Sequence, residues 1–292
     1  MMPDRFYSPL RYPGGKGKVA NYFSKLFIDN NLDGGTYVEP YVGGGSVALS
    51  LLFNGLASHI IINDRDRSLY AFWHSVLYQT EDLCRLINDT SVNIEHWLRQ
   101  KEIQRQKVNV DLLELGFSTF YLNRTNRSGI LNGGIIGGME QTGRFLIDAR
   151  YTKPTLISRI QRIAQYVNQI QLYGIDAVEL VKQLKIQLNE KTLFYFDPPY
   201  YIKGKGLYMN YYTDNDHQEI ANEISSIQDQ KWVVSYDFVP FIAKLYSHYR
   251  TRPFDLNYSA AKVGKGKELM IFSPNIKISK DNLLGNEKFF NG

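Results

Sequence analysis

Among 292 residues there is a single cysteine, Cys84. One thiol cannot close an internal disulfide, so a disulfide-framed fold is excluded, and cysteine-rich zinc sites are excluded with it. Long apolar runs are also missing. The longest, such as SVALSLLF and HIIIN, fall far short of the roughly 20 residues that span a bilayer, so no membrane partner is expected. The opening stretch MMPDRFYSPLRYPGGKGK has no apolar h-region, which predicts no signal peptide and a cytoplasmic location. Internal repeats and low-complexity tracts are absent. Histidines are few: His59, His74, His96, His217 and His248 are scattered, with no metal-ligand spacing, and read as structural or surface residues. No metal site is expected.

What remains is the composition of a folded protein, 22% charged and 43% hydrophobic. The length fits one large α/β domain or two modest ones. Net charge is +5, with 34 Lys and Arg against 29 Asp and Glu. The surplus is concentrated. Between Arg99 and Arg162 eleven basic residues face five acidic ones, interleaved with Phe117, Phe120, Tyr121, Phe145 and Tyr151. Basic residues among aromatics suit phosphate contacts with base packing. A solvated helix face above core aromatics explains the same pattern.

Strand-like runs alternate with helix-like ones. TYVEP, HIIIND, TLFYF, WVVSY and KELMIFSP read as strands. VALSLLFNG, TLISRIQRIAQYVNQI, DAVELVKQLK, HQEIANEISSI and VPFIAKLYSHY read as helices, and the stretch from SLYAFWHSV to about Lys107 looks mostly helical. That alternation implies a mostly parallel sheet with helices on both faces. Residues 128–143, SGILNGGIIGGMEQTG, hold six glycines in sixteen residues and suggest turns, a hairpin or a mobile loop. The basic, glycine-rich middle looks like an insertion into the sheet domain.

Three segments carry chemistry. TYVEPYVGGGSVALSLL is a strand, a glycine turn and a helix, an arrangement that presents backbone N–H groups to a ligand. Gly43, Gly44 and Gly45 do not fit a strict GxGxxG pattern, but Asp64 ends the next strand 21 residues after Gly43, where an acid typically bonds ribose hydroxyls. A strand-end or cap role is the plainer reading of Asp64 taken alone. RYPGGKGK invites a P-loop reading that fails, because Val19 stands where Ser or Thr is required and no strand precedes it. YFDPPYY places Asp197, Pro198, Pro199 and Tyr200 directly after an apolar strand. Two prolines fix the backbone, so a carboxylate, a constrained carbonyl and an aromatic ring project from the strand's C-terminal end, where open α/β sheets place their sites.

In order along nearly the whole chain, LRYPGGKGK, VEPYVGGGSVAL, IIINDRD, FYLNRTNRSGI, YTKPTLISRI, FYFDPPYY, SYDF and KELMIFSP resemble the motifs of Dam-like DNA adenine-N6 methyltransferases. The resemblance implies an α/β fold with a Rossmann-like S-adenosylmethionine-dependent methyltransferase sheet and an inserted, mainly helical target-recognition domain. It implies a discontinuous catalytic domain at 1–75 and 156–292 and the insertion at 76–155. Tyr12 and Lys16 match cofactor-contacting positions, Tyr12 standing where close relatives often carry Trp. Glu39 and Gly43 lie on the loop facing the methionine part, Asp64 matches the ribose ligand, and Asp197 matches the catalytic acid that also belongs to the cofactor site. Arg124, Asn126 and Arg127 lie on the family's asparagine–arginine segment and are expected to reach phosphates or bases of DNA; capping and bridging the insertion is the alternative. Lys265, in a second basic loop with Lys262 and Lys267, is expected on phosphate, a solvated loop being its rival. The segment SGILNGGIIGGMEQTGRF departs from the GATC-specific members, which leaves the target sequence open.

The implied reaction moves a methyl group from S-adenosylmethionine to N6 of an adenine flipped out of a short duplex sequence. Asp197 and the Pro198 carbonyl would accept the N6 hydrogens and Tyr200 would stack on the base. C5-cytosine methylation needs a thiolate, and Cys84, in the helix-like EDLCRLIND, reads as a half-buried core thiol. Zinc deamination lacks its H-x-E and C-x-x-C ligands. N4-cytosine methylation is the nearest rival, though Ser is frequent there where this chain has Asp197. Methylation of RNA or of protein glutamine, more often with Asn first, and a catalytically inactive DNA-binding relative complete the alternatives. Expected partners are double-stranded DNA and a cognate restriction endonuclease acting on the same site, with regulatory marking or a phage role as alternatives. A bacterial or phage-encoded monomer is the default.

Overall fold

A computed structural model describes residues 7–11, 17–201, 212–258 and 264–278. In chain order the elements are α1 (Gly17–Asp29), β1 (Gly35–Glu39), α2 (Ser46–Phe53), β2 (Ala57–Asn63), α3 (Arg67–Tyr78), α4 (Thr80–Asp89), α5 (Ile94–Arg105), α6 (Leu112–Thr125) and α7 (Lys153–Ala164). There follow β3 (Ile170–Tyr173), α8 (Ala177–Gln187), β4 (Thr192–Phe196), α9 (Asp214–Ser225), β5 (Lys231–Asp237), α10 (Pro240–Leu245), β6 (Arg250–Tyr258) and β7 (Gly264–Phe272). They sort into two units. The sheet unit takes residues 17–64, 169–201, 212–258 and 264–278, and the helical unit takes residues 7–11 and 65–168.

In the sheet unit the strands lie in the order β3-β2-β1-β4-β5-β7-β6. The first five are parallel, and β7 runs antiparallel to both β5 and β6. This is the Rossmann-like α/β sheet that the motifs imply. The order reverses at β1, whose carboxyl end and that of β4 therefore flank the crevice where such sheets bind ligands. One face buries Val38, Ile61, Phe194, Phe196, Trp232, Val234 and Tyr236 with residues of α8 and α9. On the other face Phe23 of α1 packs against Tyr195 and Tyr37, with ring centroids 4.4 and 6.2 Å apart.

Two strands escape the sequence pattern. β3 is four residues long and follows α7 so closely that Gln169 and Ile170 extend the helical periodicity; the run expected as helix through Ile170 ends at Ala164. β6 contains Pro253, which argues against a strand in a sheet interior. It is tolerated because β6 is the edge strand, paired on one side with β7, where Pro253 lies opposite Leu269.

The helical unit is built around α6, which is buried continuously from Leu115 to Thr125. Gly116 lets α3 approach closely: a Cβ there would sit 2.6 Å from the Ala71 carbonyl oxygen. Phe120 of α6 stacks on Phe72 of α3, and Tyr121 and Tyr151 meet edge to face. Asp66, Asn93 and Asp111 cap the N-termini of α3, α5 and α6 through their carboxylate or amide oxygens. Cys84 is buried in α4. No helix of the described residues is long and apolar enough to cross a membrane.

Candidate active site

Side chains alternate across a strand, so the core-facing residues also identify those that point the other way. Phe194 and Phe196 face α8 and α9, which sends Tyr195, and Asp197 just beyond the strand end, to the opposite face. By the same count Tyr37 and Glu39 of β1, Ser235 and Asp237 of β5, and Glu268 of β7 share that face. Four carboxylates thus gather at one end of one face, among the buried hydroxyls of Tyr37, Tyr195 and Ser235. Burial pushes the Tyr37 and Tyr195 hydroxyls well above the usual tyrosine range, and the Glu39 and Asp197 charges push both further.

Hydrogen bonds fix the acid expected to be catalytic. The Ser235 hydroxyl donates to Asp197 Oδ1 at 2.7 Å. Tyr195 Oη lies 2.9 Å from Ser235 Oγ, and since Ser235 spends its proton on Asp197, Tyr195 is the donor in that pair. The two tyrosines after Pro199 are held by two more of these acids. Tyr200 Oη donates to Glu268 Oε1 at 2.8 Å, and the Tyr201 backbone N–H donates to Asp237 Oδ1 at 2.9 Å. Asp237 and Glu268 lie directly opposite each other in the β5–β7 ladder. The rigid Asp-Pro-Pro-Tyr turn is therefore tied to β5 at both ends and to β7 at its ring.

The glycine turn is equally defined. Gly43 and Gly45 have φ of 46° and 61°, left-handed values that glycine adopts without strain. The Gly43 N–H donates to Asp64 Oδ2 at 3.2 Å, and the Val42 N–H donates to the Asn63 carbonyl at 2.9 Å. The Asn63 amide ties the three loops together, donating to the Pro40 and Ile175 carbonyls and accepting from the Ile175 N–H. Asp64 remains half-exposed beyond β2, while Glu39 is buried at the end of β1. These donors and acceptors fit S-adenosylmethionine: carboxylates for ribose hydroxyls and cationic groups, and a turn with no Cβ in the way of a ligand. Tyr12 and Lys16 lie outside the described residues, as do Lys262 and the side chains of Lys265 and Lys267; the Lys265 backbone belongs to β7.

The helical unit sorts the three expected DNA residues differently. Arg124 is buried, its Nε donating to the Pro9 carbonyl at 2.7 Å and its Nη2 donating to the same oxygen. Burial lowers its pKa, and Arg159 and Arg11 nearby lower it further. Asn126 is buried as well. Its Oδ1 accepts from Trp97 Nε1 at 2.7 Å, and its Nδ2 donates to the Ile130 and Leu131 carbonyls. Both residues do the bridging work that the sequence left as the alternative. Arg127 is exposed, its Nε 3.3 Å from the Ile135 carbonyl. Asn123, not singled out by sequence, clamps the N-terminal segment: it accepts from the Arg11 N–H at 2.6 Å and donates to the Arg11 and Gly129 carbonyls.

Sequence reasoning also missed Tyr195, Ser235, Asp237 and Glu268 as site residues. Tyr195 had a usable signal, since it stands two positions before Asp197 and must share its face. Ser235, Asp237 and Glu268 lie inside motifs already noted, but only strand pairing brings them to the turn.

A family model described as D12 class N6 adenine-specific DNA methyltransferase matches residues 12–262. Type II methyltransferase M.MjaIII of Methanocaldococcus jannaschii is 23% identical over 269 residues, covering 83% of this chain and 89% of that protein. Solved structures resemble it more distantly. PH1948 from Pyrococcus horikoshii has a TM-score of 0.40 and 11% identity, over 88% of this chain and 83% of its own. The rRNA methyltransferase aviRa from Streptomyces viridochromogenes has a TM-score of 0.37 and 12% identity, over 88% of this chain and 84% of its own. The family match is the one that decides. The chain belongs to the D12 class of N6 adenine-specific DNA methyltransferases: it methylates adenine in DNA, with S-adenosylmethionine as the cofactor.

Proposed function

We propose that in this adenine-specific DNA methyltransferase Asp197, Pro198 and Tyr200 carry the methyl transfer, and that the adenine is flipped out of the duplex to meet them. The observation that carries this reading is the Ser235–Asp197 hydrogen bond, which aims one carboxylate oxygen inward and holds the acid in one orientation. S-adenosylmethionine, when bound, supplies an electrophilic methyl group on a sulfonium. Asp64 holds its ribose, with Glu39, Gly43, Tyr12 and Lys16 around the remainder. The adenine amino group is a weak nucleophile, because its lone pair is delocalised into the ring. Asp197 and the Pro198 carbonyl accept its two hydrogens, which favours a pyramidal nitrogen whose lone pair points at the methyl group. Tyr200 lies against the base, its ring fixed by the bond to Glu268. Because N6 itself would take the methyl group, no covalent enzyme intermediate is required, and the extra proton on the methylated nitrogen would pass to solvent afterwards.

The helical unit reads the target and the sheet unit does the chemistry. Arg127 reaches DNA, Arg124 and Asn126 shape the loop that carries it, and Lys265 takes a phosphate. The protein works as a monomer on a short duplex sequence, in a bacterial or phage setting, beside a restriction endonuclease of the same specificity.

Expression in methylase-free bacteria, followed by sequencing that detects modified bases, tests the reading. N6-methyladenine at one short motif is the expected result and gives the target as well. N4-methylcytosine would overturn the choice of base. Asp197→Ala should abolish the mark while the purified protein still binds S-adenosylmethionine; an undiminished mark would overturn the role of Asp197.

A further inference from the structure

In the helical unit, the loop after α6 presents Phe145 to solvent at 53% relative exposure, with two guanidinium groups over its ring. The Arg144 and Arg150 Cζ atoms lie 5.4 and 5.7 Å from the ring centroid. Both arginines are exposed, and so are their apolar neighbours Met139 and Leu146. Glu140 and Asp148 are the acids of this stretch. An exposed ring between two cations contributes little to folding, since such contacts are weak where solvent reaches them.

The loop is nonetheless rigidly built. The Gln141 side chain staples it, donating from Nε2 to the Ile136 and Gly138 carbonyls and accepting at Oε1 from the Ile147 N–H. Gln141 itself has a left-handed φ of 48°, a strained value that these bonds hold in place. Gly137 is required where the loop closes, because a Cβ there would meet the Phe145 carbonyl at 2.9 Å. Ile147 and Tyr151 anchor the outgoing strand of the loop in the core. The ring and both cations are thus displayed before any partner arrives, which lowers the ordering cost of binding.

We propose that Phe145 is a DNA wedge: its ring stacks at an opened base step of the bound duplex while Arg144 and Arg150 take the flanking phosphates. The partner follows from the chemistry. Apolar side chains, phenylalanine among them, enter base steps that are unstacked or kinked, and guanidinium groups pair with phosphate oxygens. A cationic rim around an aromatic tip complements a polyanion that has flat apolar faces inside. The inference rests on the base-extruding reading given above, which leaves one base step without its stacking partner.

The test compares wild-type protein with Phe145→Ala, Phe145→Trp, Arg144→Ala and Arg150→Ala, using labelled S-adenosylmethionine and unmethylated plasmid DNA from a methylase-free host. Phe145→Ala should lower kcat/KM for DNA about tenfold or more, the size of one lost base–aromatic stack. Its S-adenosylmethionine affinity and thermal midpoint should not move, since the ring is exposed. Phe145→Trp should keep kcat/KM within about threefold, and its added fluorescence should be quenched by DNA. Each arginine variant should reduce the slope of log K for DNA against log salt by about one. Wild-type transfer with Phe145→Ala equally active would overturn the wedge alone. Retained fluorescence of Phe145→Trp on saturating DNA would do the same. No transfer by the wild-type protein would overturn the enzymatic reading and the wedge with it.

Discussion

Substituting Ser235→Ala removes one oxygen and separates orientation from stability. The Ser235–Asp197 bond is 2.7 Å long and ends on a carboxylate, a class worth about 1.5–3 kcal/mol. Its loss lets the Asp197 carboxylate turn away from the position that meets the adenine amino group. Losing about 1.4 kcal/mol of that orientation from the transition state slows transfer about tenfold. The same change removes one hydrogen-bond partner of the buried Tyr195 hydroxyl. A neutral hydrogen bond lost in the interior costs about 0.5–1.5 kcal/mol of stability. Ser235→Ala should therefore lower both the single-turnover rate and the urea midpoint. Ser235→Ala combined with Tyr195→Phe removes the Tyr195 hydroxyl as well. Stability should recover toward wild type while the rate stays low, because the Ser235 bond to Asp197 is still missing. Tyr195→Phe alone leaves Ser235 free to donate to Asp197 and should cost less than threefold in rate. The measurements are rapid-quench methyl transfer at saturating cofactor and DNA, with urea unfolding of the same samples. A rate that recovers along with stability in the double variant would refute the orienting role, and so would a Ser235→Ala rate within twofold of wild type.

Tyr200→Phe keeps the ring but removes a donor from buried Glu268; unfolding stability should fall by about 1–3 kcal/mol, with S-adenosylmethionine affinity, read by calorimetry, unchanged. Gly129→Ala places a Cβ 2.5 Å from the Arg11 carbonyl at a φ of +76°, so the thermal midpoint should drop, by at least the roughly 1–2 kcal/mol of a left-handed alanine. His217 is buried, with Nδ1 3.0 Å from the Tyr236 hydroxyl. Burial lowers its pKa below the ordinary 6.5 despite Asp237, Asp214 and Asp216 nearby. The unfolded chain then binds the proton more readily, so this residue's contribution is present above pH 6.5 and is lost as pH falls toward its folded value. Urea unfolding from pH 7.5 to 5 should show that decline, and His217→Gln should flatten it.

Sequence patterns conveyed the sheet because its strands are buried on both faces and read as short apolar runs ending in chemistry. TLFYF running into Asp197, and HIIIN running into Asp64, needed no tertiary knowledge. β3 and β6 were illegible for opposite reasons, one too short to break a helical rhythm and the other carrying a proline that only its edge position excuses. The Asp-Pro-Pro-Tyr turn was visible as a turn, yet its supports were not, since Ser235 and Glu268 reach it through pairing across 38 and 68 residues of chain. Arg124 shows the converse limit. A basic residue in a basic segment suggests a polyanion, and only the fold shows the Arg124 guanidinium buried and donating to the Pro9 carbonyl.

The N-terminal segment belongs to the helical unit, although the chain enters the sheet unit immediately afterwards. Residues 7–11 are gripped by Asn123, Arg124 and Arg159, and the Tyr7 ring lies under the Arg162 guanidinium at 5.1 Å. The helical unit is therefore not a cassette. Cutting out residues 65–168 and splicing in the corresponding stretch of a relative would leave the old segment 7–11 facing a new grip. A chimera that carries both pieces keeps the Tyr7 ring with its Arg162 and the Arg11 guanidinium with the Asn126 carbonyl, whereas one that carries only the long piece sets those two side chains against foreign partners. Exchange of the helical unit between members of this class must then travel as two linked fragments, one of them only a few residues long and easily overlooked when sequences are divided into modules.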